Sequence, residues 1–540
     1  MTSAPKGPPR LDLDRLLGDA APDRLAVLLL AYLTLPALVF LGGWAQPWAA
    51  AAAGLAGLGA VLLAPGWRRA WPLSPGMTLA CLALGLLWAG ATGSHHLVYS
   101  SADWQIRDAV LRDLAVEAWP VAYLDADRGV EWLLRAPLGF YTVPGLLGRA
   151  LGFPAAQIAL WAWTGLGFAL VLMLLALLAR AVAPARPGRA FAVMAGVFVL
   201  FHGVDILPNI WLDWNFGTGP FASWGRGGEW WPRLFQYSGH VTAILWAPNH
   251  ALPAWLLALL VLRHGRHPDL ARGLAMPFAA GAFWSPLASA GAAVLAGAAL
   301  LRAGGWGAVR HAVSPANLLA VVFALPVCAY LVAGTAAVPH GVLFLVHPPL
   351  KGFLVWLLFL VVEVLCWAVP AAVLVRGWTF GVSVALLCLL PLYVFGPGNE
   401  MTARGGMAPL AVLAVAAGAA LLTPAANAAL FAPAANAALF APAAERAGRI
   451  ARRALLACGA LALAGTAMEA SLLLKPAWRA SETCDLLEAA RQSVFARTTE
   501  WAHYLAPLPE PLVSPWVREP PRRPADRTSA APPCWTGGGP

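Results

Sequence analysis

Long apolar runs recur along this chain at short intervals, and that feature leaves few folds open to it. A helix needs about 20 apolar residues to cross the hydrocarbon core of a bilayer. Such runs lie near 25–43, 47–64, 77–93, 157–180, 190–207, 241–262, 317–334, 352–375, 380–396, 408–423 and 453–471. A further run over 274–301 is broken by Ser285-Pro286. Proline removes a donor and clashes with the preceding turn, so a short helical hairpin is expected there. The sum is about 11–13 spans.

Composition points the same way. Of 540 residues, 60% are hydrophobic and 11% charged, with a mean hydropathy of +0.68. A soluble domain is about 45–50% apolar and about 25% charged. That much apolar surface needs lipid as its solvent, which excludes a secreted enzyme, a DNA-binding domain or a disordered tail. The expected fold class is an all-α, multi-pass transmembrane helical bundle whose large extracytoplasmic loops carry amphipathic helices. The net charge of +10 is then read as arginine retained on cytoplasmic loops, with no nucleic-acid partner.

Orientation follows from those arginines. Arg10, Arg15 and Arg24 precede the first run, and Arg68-Arg69 follow the second. Arg180, Arg186 and Arg189 follow the fourth, Arg263, Arg266 and Arg272 the sixth, and Arg446, Arg449, Arg452 and Arg453 precede the last. All fall on one side if the amino terminus is cytoplasmic. Residues 1–24 are then a cytoplasmic tail, polar and followed by a run long enough to stay as a span rather than a cleaved signal. Residues 25–471 form the transmembrane domain, with extracytoplasmic loops 94–156 and 208–240, and 472–540 an extracytoplasmic tail. The unit PAANAALFA, at 424–432 and again at 433–441, spaces its prolines too closely for a good continuous helix. It reads as a cytoplasmic connector within 424–444. The Pro- and Gly-rich end of the tail is expected to be disordered. Of seven cysteines, five lie in apolar stretches as small hydrophobes, whereas Cys484 and Cys534 could pair in an oxidising compartment.

The chemistry-bearing residues gather in the outward loops. In DWQIRDAVLRDL, Ile106, Val110 and Leu114 share a helical stripe and Trp119-Pro120 ends it. Asp103 suits the N-cap, and the pairs Asp103/Arg107 and Asp108/Arg112 stand four apart, as ion pairs on a helix do. The other reading lays this helix on the membrane surface with its acids facing a cavity. Asp125 and Asp127 are two apart before Gly129; they form either a solvated turn or a pair able to share a divalent cation. The second loop is dense in aromatics, with Trp211, Trp214, Trp230 and Trp231 beside Glu229, His240 and His250. It is either an interfacial aromatic belt or a set of flat faces and polar groups suited to sugar rings. Within the apolar runs, Glu363 stands mid-span and Asp205 near an outward end, beside His202. Such groups normally face a partner or a cavity. The turn GPGNEMTARGG holds Glu400 and Arg404; they pair with each other, or Arg404 is free to grip a phosphate. No Walker A, dinucleotide, HExxH or CxxC motif occurs, so any reaction draws its energy from its substrate.

Many spans, an acidic helix in a large outward loop, aromatic outward loops and no nucleotide motif form a set that resembles the GT-C class of membrane glycosyltransferases, which use polyprenyl-phosphate-linked sugars. That resemblance implies an essential acid at the membrane edge of the first large outward loop, and Asp103 holds the matching position. The chain departs from the class in placing this loop after the third run, and in following Asp103 with Trp104 rather than a second acid. It also resembles bacterial multi-pass proteins of no assigned activity, through segments such as DWQIRDAVLRDL, FQYS…WAPNH and GNEMTARGG. The GT-C resemblance implies Asp103 as general base, and Arg404, with Arg107 or Lys351, on the donor phosphate. It implies the Trp-rich loop (Trp211, Trp214, Glu229, Trp230, Trp231, His240, His250) on the sugar or acceptor. It further implies a bacterial inner membrane, a polyprenyl-phosphate-sugar donor as partner and no cofactor beyond a divalent cation. Open alternatives are a polysaccharide polymerase or ligase, a transporter, and a non-catalytic subunit of a membrane complex.

Overall fold

The computed structural model describes residues 10–125, 129–217, 219, 222, 227–396, 398–424, 437–496, 503–521 and 532–537. The chain folds as an all-α helical bundle. Among the described residues, seven helices are long and apolar enough to cross a membrane: Arg24–Trp44, Phe153–Val182, Pro286–His311, Pro315–Val332, Pro349–Leu374, Glu400–Leu422 and Pro442–Leu474. Four shorter apolar helices, Pro47–Leu62, Pro75–Ala89, Pro187–Val199 and Trp378–Leu392, accompany them. Proline accounts for many of the starts. Pro47, Pro75, Pro187, Pro248, Pro286, Pro315 and Pro349 each stand in a first turn, where the missing N–H has no partner to lose and φ is already helical. Asp23 caps Arg24–Trp44 by accepting from the Leu25 and Ala26 amides, and it also pairs with Arg263 at 2.5 Å.

Small residues set the tightest crossings. A Cβ on Gly85 would stand 2.5 Å from the Gly165 carbonyl oxygen and 2.6 Å from the Ala169 nitrogen, so Pro75–Ala89 and Phe153–Val182 pack backbone to backbone. Between lipid-solvated helices, close packing of this kind supplies the attraction that hydrophobicity cannot. Aromatic rings fill the adjoining core. Tyr32 stacks on Trp163 at 4.4 Å and lies 5.1 Å from Trp284, while Phe40 packs on Phe283 and Tyr330.

Several expected runs break where a local conflict wins. Run 190–207 splits into Pro187–Val199 and Ile206–Phe216 around His202 and Gly203. Run 241–262 splits at Ala247, because the residue before Pro248 is pushed out of the helical region. The 352–375 run is interrupted by a π-helical turn at Val361–Leu365 that carries Glu363. The break at Ser285 does reverse the chain. His250 meets Ser285 at one end, Gly265 lies on Ala299 at the other, and Gly281 returns beside Leu257. The repeat departs from expectation. Its first part lies outside the described residues, but helix Ala437–Ala470 begins within it and runs through Pro442, since the Ala-rich stretch has the highest helix propensity.

The bundle has a basic end and a tail-covered end. Arg24 donates to the Trp67 carbonyl, Arg180 to that of Pro72, Arg266 pairs with Asp19 and Arg376 with Asp12, which gathers four of the five expected arginine-bearing segments, all but 446–453. At the opposite end, the tail folds over loop 94–156. Strand Leu505–Pro507 joins Ala122–Asp125 and Val130–Leu134 as the third strand of an antiparallel sheet. Val517 bridges Ala45. A disulfide joins Cys484 to Cys534, and Arg479–Ala480 pairs with Trp535–Thr536. Residues 532–537, where disorder was expected, are therefore tied down by a covalent bond and a strand pair.

Candidate functional site

Helix Trp104–Val116 sits in the tail-covered end, and from Trp104 to Ala115 every residue is buried. A surface-lying helix was one expectation; the tail covers it instead. Asp103 precedes the helix but makes no capping bond. Its Oδ2 accepts from Arg107 Nη2 at 2.6 Å, and the guanidinium lies 5.7 Å over the Trp104 ring. The expected Asp108–Arg112 pair does not form. Asp108 accepts from His96 at 2.8 Å, while Arg112 binds Asp113 at 2.8 Å and Glu117 at 2.5 Å.

His96, at a φ of 56°, turns its ring between Asp108 Oδ2 at 2.8 Å and the Trp478 carbonyl at 2.7 Å, with Ser100 Oγ at 3.1 Å. This Ser–His–Asp set has the composition of a hydrolytic triad. Ser100 is fully buried, however, and donates to the Gly93 carbonyl. The group is a clamp between loop and tail. Burial opposes charge on His96, but Asp108 more than offsets it, so the pKa lies above the usual value. Asp113 forms a second clamp, accepting from Tyr123 Oη at 2.7 Å and the Leu486 amide at 2.9 Å. Burial and the nearby Asp485 push its carboxyl up to about 7 against the pull of Arg112.

Beyond Asp103 the structure assembles a cationic group from separate segments. Arg107 is nearly fully buried, yet its Nε and Nη1 have no hydrogen-bond partner, nor does the buried Tyr141 hydroxyl beside it. His250, held by Ser285 at 2.8 Å, lies within electrostatic range of both Arg107 and Arg404. Glu400 folds back on Gly396 and does not pair with Arg404; among the described residues Arg404 has no ion pair or side-chain hydrogen bond. The tail adds His503, within range of Glu400, Arg135 and Arg404, and Tyr504 beside Arg107. Burial holds the His503 imidazole below its usual range, reinforced by Arg135 and Arg404 and opposed by Glu400. With Asp108 also in range of Tyr141, three guanidinium groups stand against three carboxylates. It is therefore the unpaired Arg404 and the open N–H groups of Arg107, rather than a net charge, that suit an anion with several oxygens.

The other expected site residues scatter. Lys351 is exposed in the first turn of its helix and forms no ion pair among the described residues. Trp211, Trp214 and Trp230 are 59%, 71% and 39% exposed, facing outward rather than toward Asp103. Glu229, Trp231 and His240 join a second, buried group with Asp205 and Glu363. Asp125 is buried with Arg491 3.7 Å away, and Asp127 lies outside the described residues. Among the described residues no group of three or more His, Cys, Asp or Glu is arranged to hold a metal ion. A cleft of about 270 Å³, lined by Asp12, Asp14, Arg15, Arg266, Arg302 and Arg376, opens at the basic end, away from this site. The sequence reading missed His503, Tyr504, Tyr141 and Glu469. Only Glu469, an acid at the end of an apolar run, carried a visible signal.

No family model matches the chain, and no curated protein or solved structure is similar to it.

Proposed function

We propose that the protein is an integral membrane glycosyltransferase that takes its sugar from a polyprenyl-phosphate donor at the tail-covered end. The observation that carries this reading is the unpaired Arg404 beside His250, the partly unsatisfied Arg107 and the carboxylate of Asp103. An acceptor hydroxyl attacks the anomeric carbon of the donor while the bond from that carbon to the phosphate oxygen breaks. The hydroxyl proton passes to Asp103 as general base. Arg404 and Arg107 hold the departing lipid phosphate, where fixed cations in a water-poor site count most. In this reading the basic end is cytoplasmic, the tail extracytoplasmic, and the membrane the bacterial inner membrane.

The test is transfer of labelled sugar from a synthetic polyprenyl-phosphate donor by the purified protein. Asp103→Asn should lower turnover by about 100-fold or more with donor binding kept, whereas Arg404→Ala should weaken donor binding as well. Donor binding unchanged in Arg404→Ala would sink the assignment. A second reading, a polysaccharide polymerase or ligase, draws on the same group, because His250 and His503 stand with the arginines. Activity only with an oligosaccharide-loaded lipid would select it.

A further inference from the structure

Five ionisable side chains meet away from Asp103, each almost wholly buried. His202 and Asp205 (both 1% exposed) come from the break between two helices, Glu229 (3%) from the Trp-rich loop, Glu363 (3%) from the π-helical turn, and Glu469 (0%) from the last long helix. His202 Nδ1 lies 3.1 Å from Asp205 Oδ1 and its Nε2 3.2 Å from Glu229 Oε1. Glu229 also accepts from the Gly239 amide at 2.6 Å and Gln236 at 3.2 Å, Glu363 from Trp231 Nε1 at 3.0 Å, and Glu469 from the Gly228 amide at 2.6 Å. His240 faces His202, while Tyr237 and Cys366 face Glu363. No Lys or Arg forms an ion pair with any of the four carboxylates among the described residues.

The hydrogen bonding does not close with the carboxylates ionised. Neither oxygen of Asp205 accepts a hydrogen bond, because the His202 contact is off-line, and Glu469 Oε2 accepts none. A buried acceptor without a donor is costly, and a buried unpaired charge more so. Four carboxylates and one imidazolium would leave a net charge of −3 in a region that excludes water. A metal ion could cancel it, but the donors are not arranged to hold one. A proton needs no cavity, removes a charge and turns a carboxylate from acceptor into donor. His202 lies within 3.2 Å of two of the acids, one at each ring nitrogen, yet neither contact is aligned as a hydrogen bond. Its Nδ1 meets the Gly203 carbonyl at 3.3 Å, so the ring is placed to exchange a proton with either acid rather than paired with both.

We infer that this nest is a binding site for exchangeable protons, shared among Asp205, Glu229, Glu363 and Glu469 with His202 as the bridge. The inference does not rest on the transferase reading and would survive its failure. Protonation of the nest then sets the hold on the Trp-rich loop, since Glu229 anchors Gly239 and Gln236, and Glu363 anchors Trp231.

Infrared spectra of the purified full chain test it through the carbonyl stretch of protonated carboxyl groups at neutral pH. The wild type should show this band, and Glu363→Gln, Glu469→Gln and Asp205→Asn should each remove a separate share of it. His202→Gln should redistribute the band rather than remove it. The amide variants keep the shape of a protonated acid, so they should also unfold near the wild-type temperature at neutral pH and lose part of the wild type's destabilisation in alkali. A wild-type spectrum without the band, or variants that leave it unchanged, would overturn the inference. So would a band absent together with sodium-dependent thermal stability, which would make the occupant a metal cation.

Discussion

At the residue scale, two clamps between loop and tail make stability depend on pH with one sign. The folded chain keeps the Asp113 proton up to about pH 7, whereas an unfolded Asp releases it near about 4. Its contribution therefore falls as pH climbs through that window. His96 is raised above the unfolded value by Asp108. The stability it adds is complete below about 6.5 and is lost as pH rises through its folded pKa. Buried histidines held below their usual range, such as His95 and His503, act in the opposite direction, so the clamps are read by difference. Relative to wild type, His96→Gln or Asp113→Asn should lower the unfolding temperature in detergent more near about pH 5 than near about pH 8. Variants whose unfolding temperature differs from wild type by the same amount at both pH values would contradict the clamps. A different residue tests packing: a Cβ on Gly203 would run into Glu363 Oε2. Gly203→Ala should cost about 1–3 kcal/mol, read as a lower unfolding temperature. Glu363→Gln in the same chain should not rescue it, because the amide is no smaller.

At the scale of elements, the tail decides how much of the site could be read from the sequence. Asp103, Arg107, His250 and Arg404 stood out because ionisable residues are rare beside apolar runs, and each has a distinctive local setting. That they share one site depends on contacts between segments more than a hundred residues apart, which no local pattern encodes. His503 and Tyr504 could not be found at all. They follow a polar stretch with no periodicity, and they reach Arg404 and Arg107 only because Leu505–Pro507 completes a sheet begun at Ala122. The π-helical turn was equally hidden, since its extra residue leaves the apolar pattern intact. The disulfide makes the tail's hold testable. Closing the loop between Cys484 and Cys534, 50 positions apart, should be worth about 2–4 kcal/mol. A Cys484→Ser/Cys534→Ser chain should unfold at lower temperature and become cleavable by protease within 479–521. Resistance equal to wild type would show that the strand pairing alone holds the tail.

For the whole molecule, the apolar runs predicted the bundle and most of its helices. The span count was less legible, because short helices and breaks at Gly203 and Ala247 cut runs that hydropathy sees as continuous. The arginine asymmetry gives the proposed orientation a direct check. Single cysteines replacing Arg69 and Lys475, both exposed, can be probed with a membrane-impermeant thiol reagent after the five free cysteines are removed. Lys475→Cys should react in intact cells and Arg69→Cys only after permeabilisation; the opposite pattern would invert the proposed topology. The tail also has a consequence for how the molecule is made. Residues 478–537 leave the ribosome after the seven long apolar helices found among the described residues, yet they supply His503, Tyr504 and one partner each of His96 and Asp113, the Trp478 carbonyl and the Leu486 amide. A nascent chain can thus have its membrane part in place while its reactive group stays open. On the proposed orientation, the order of synthesis keeps the site incomplete until the 478–537 segment has crossed and its cysteines have been oxidised.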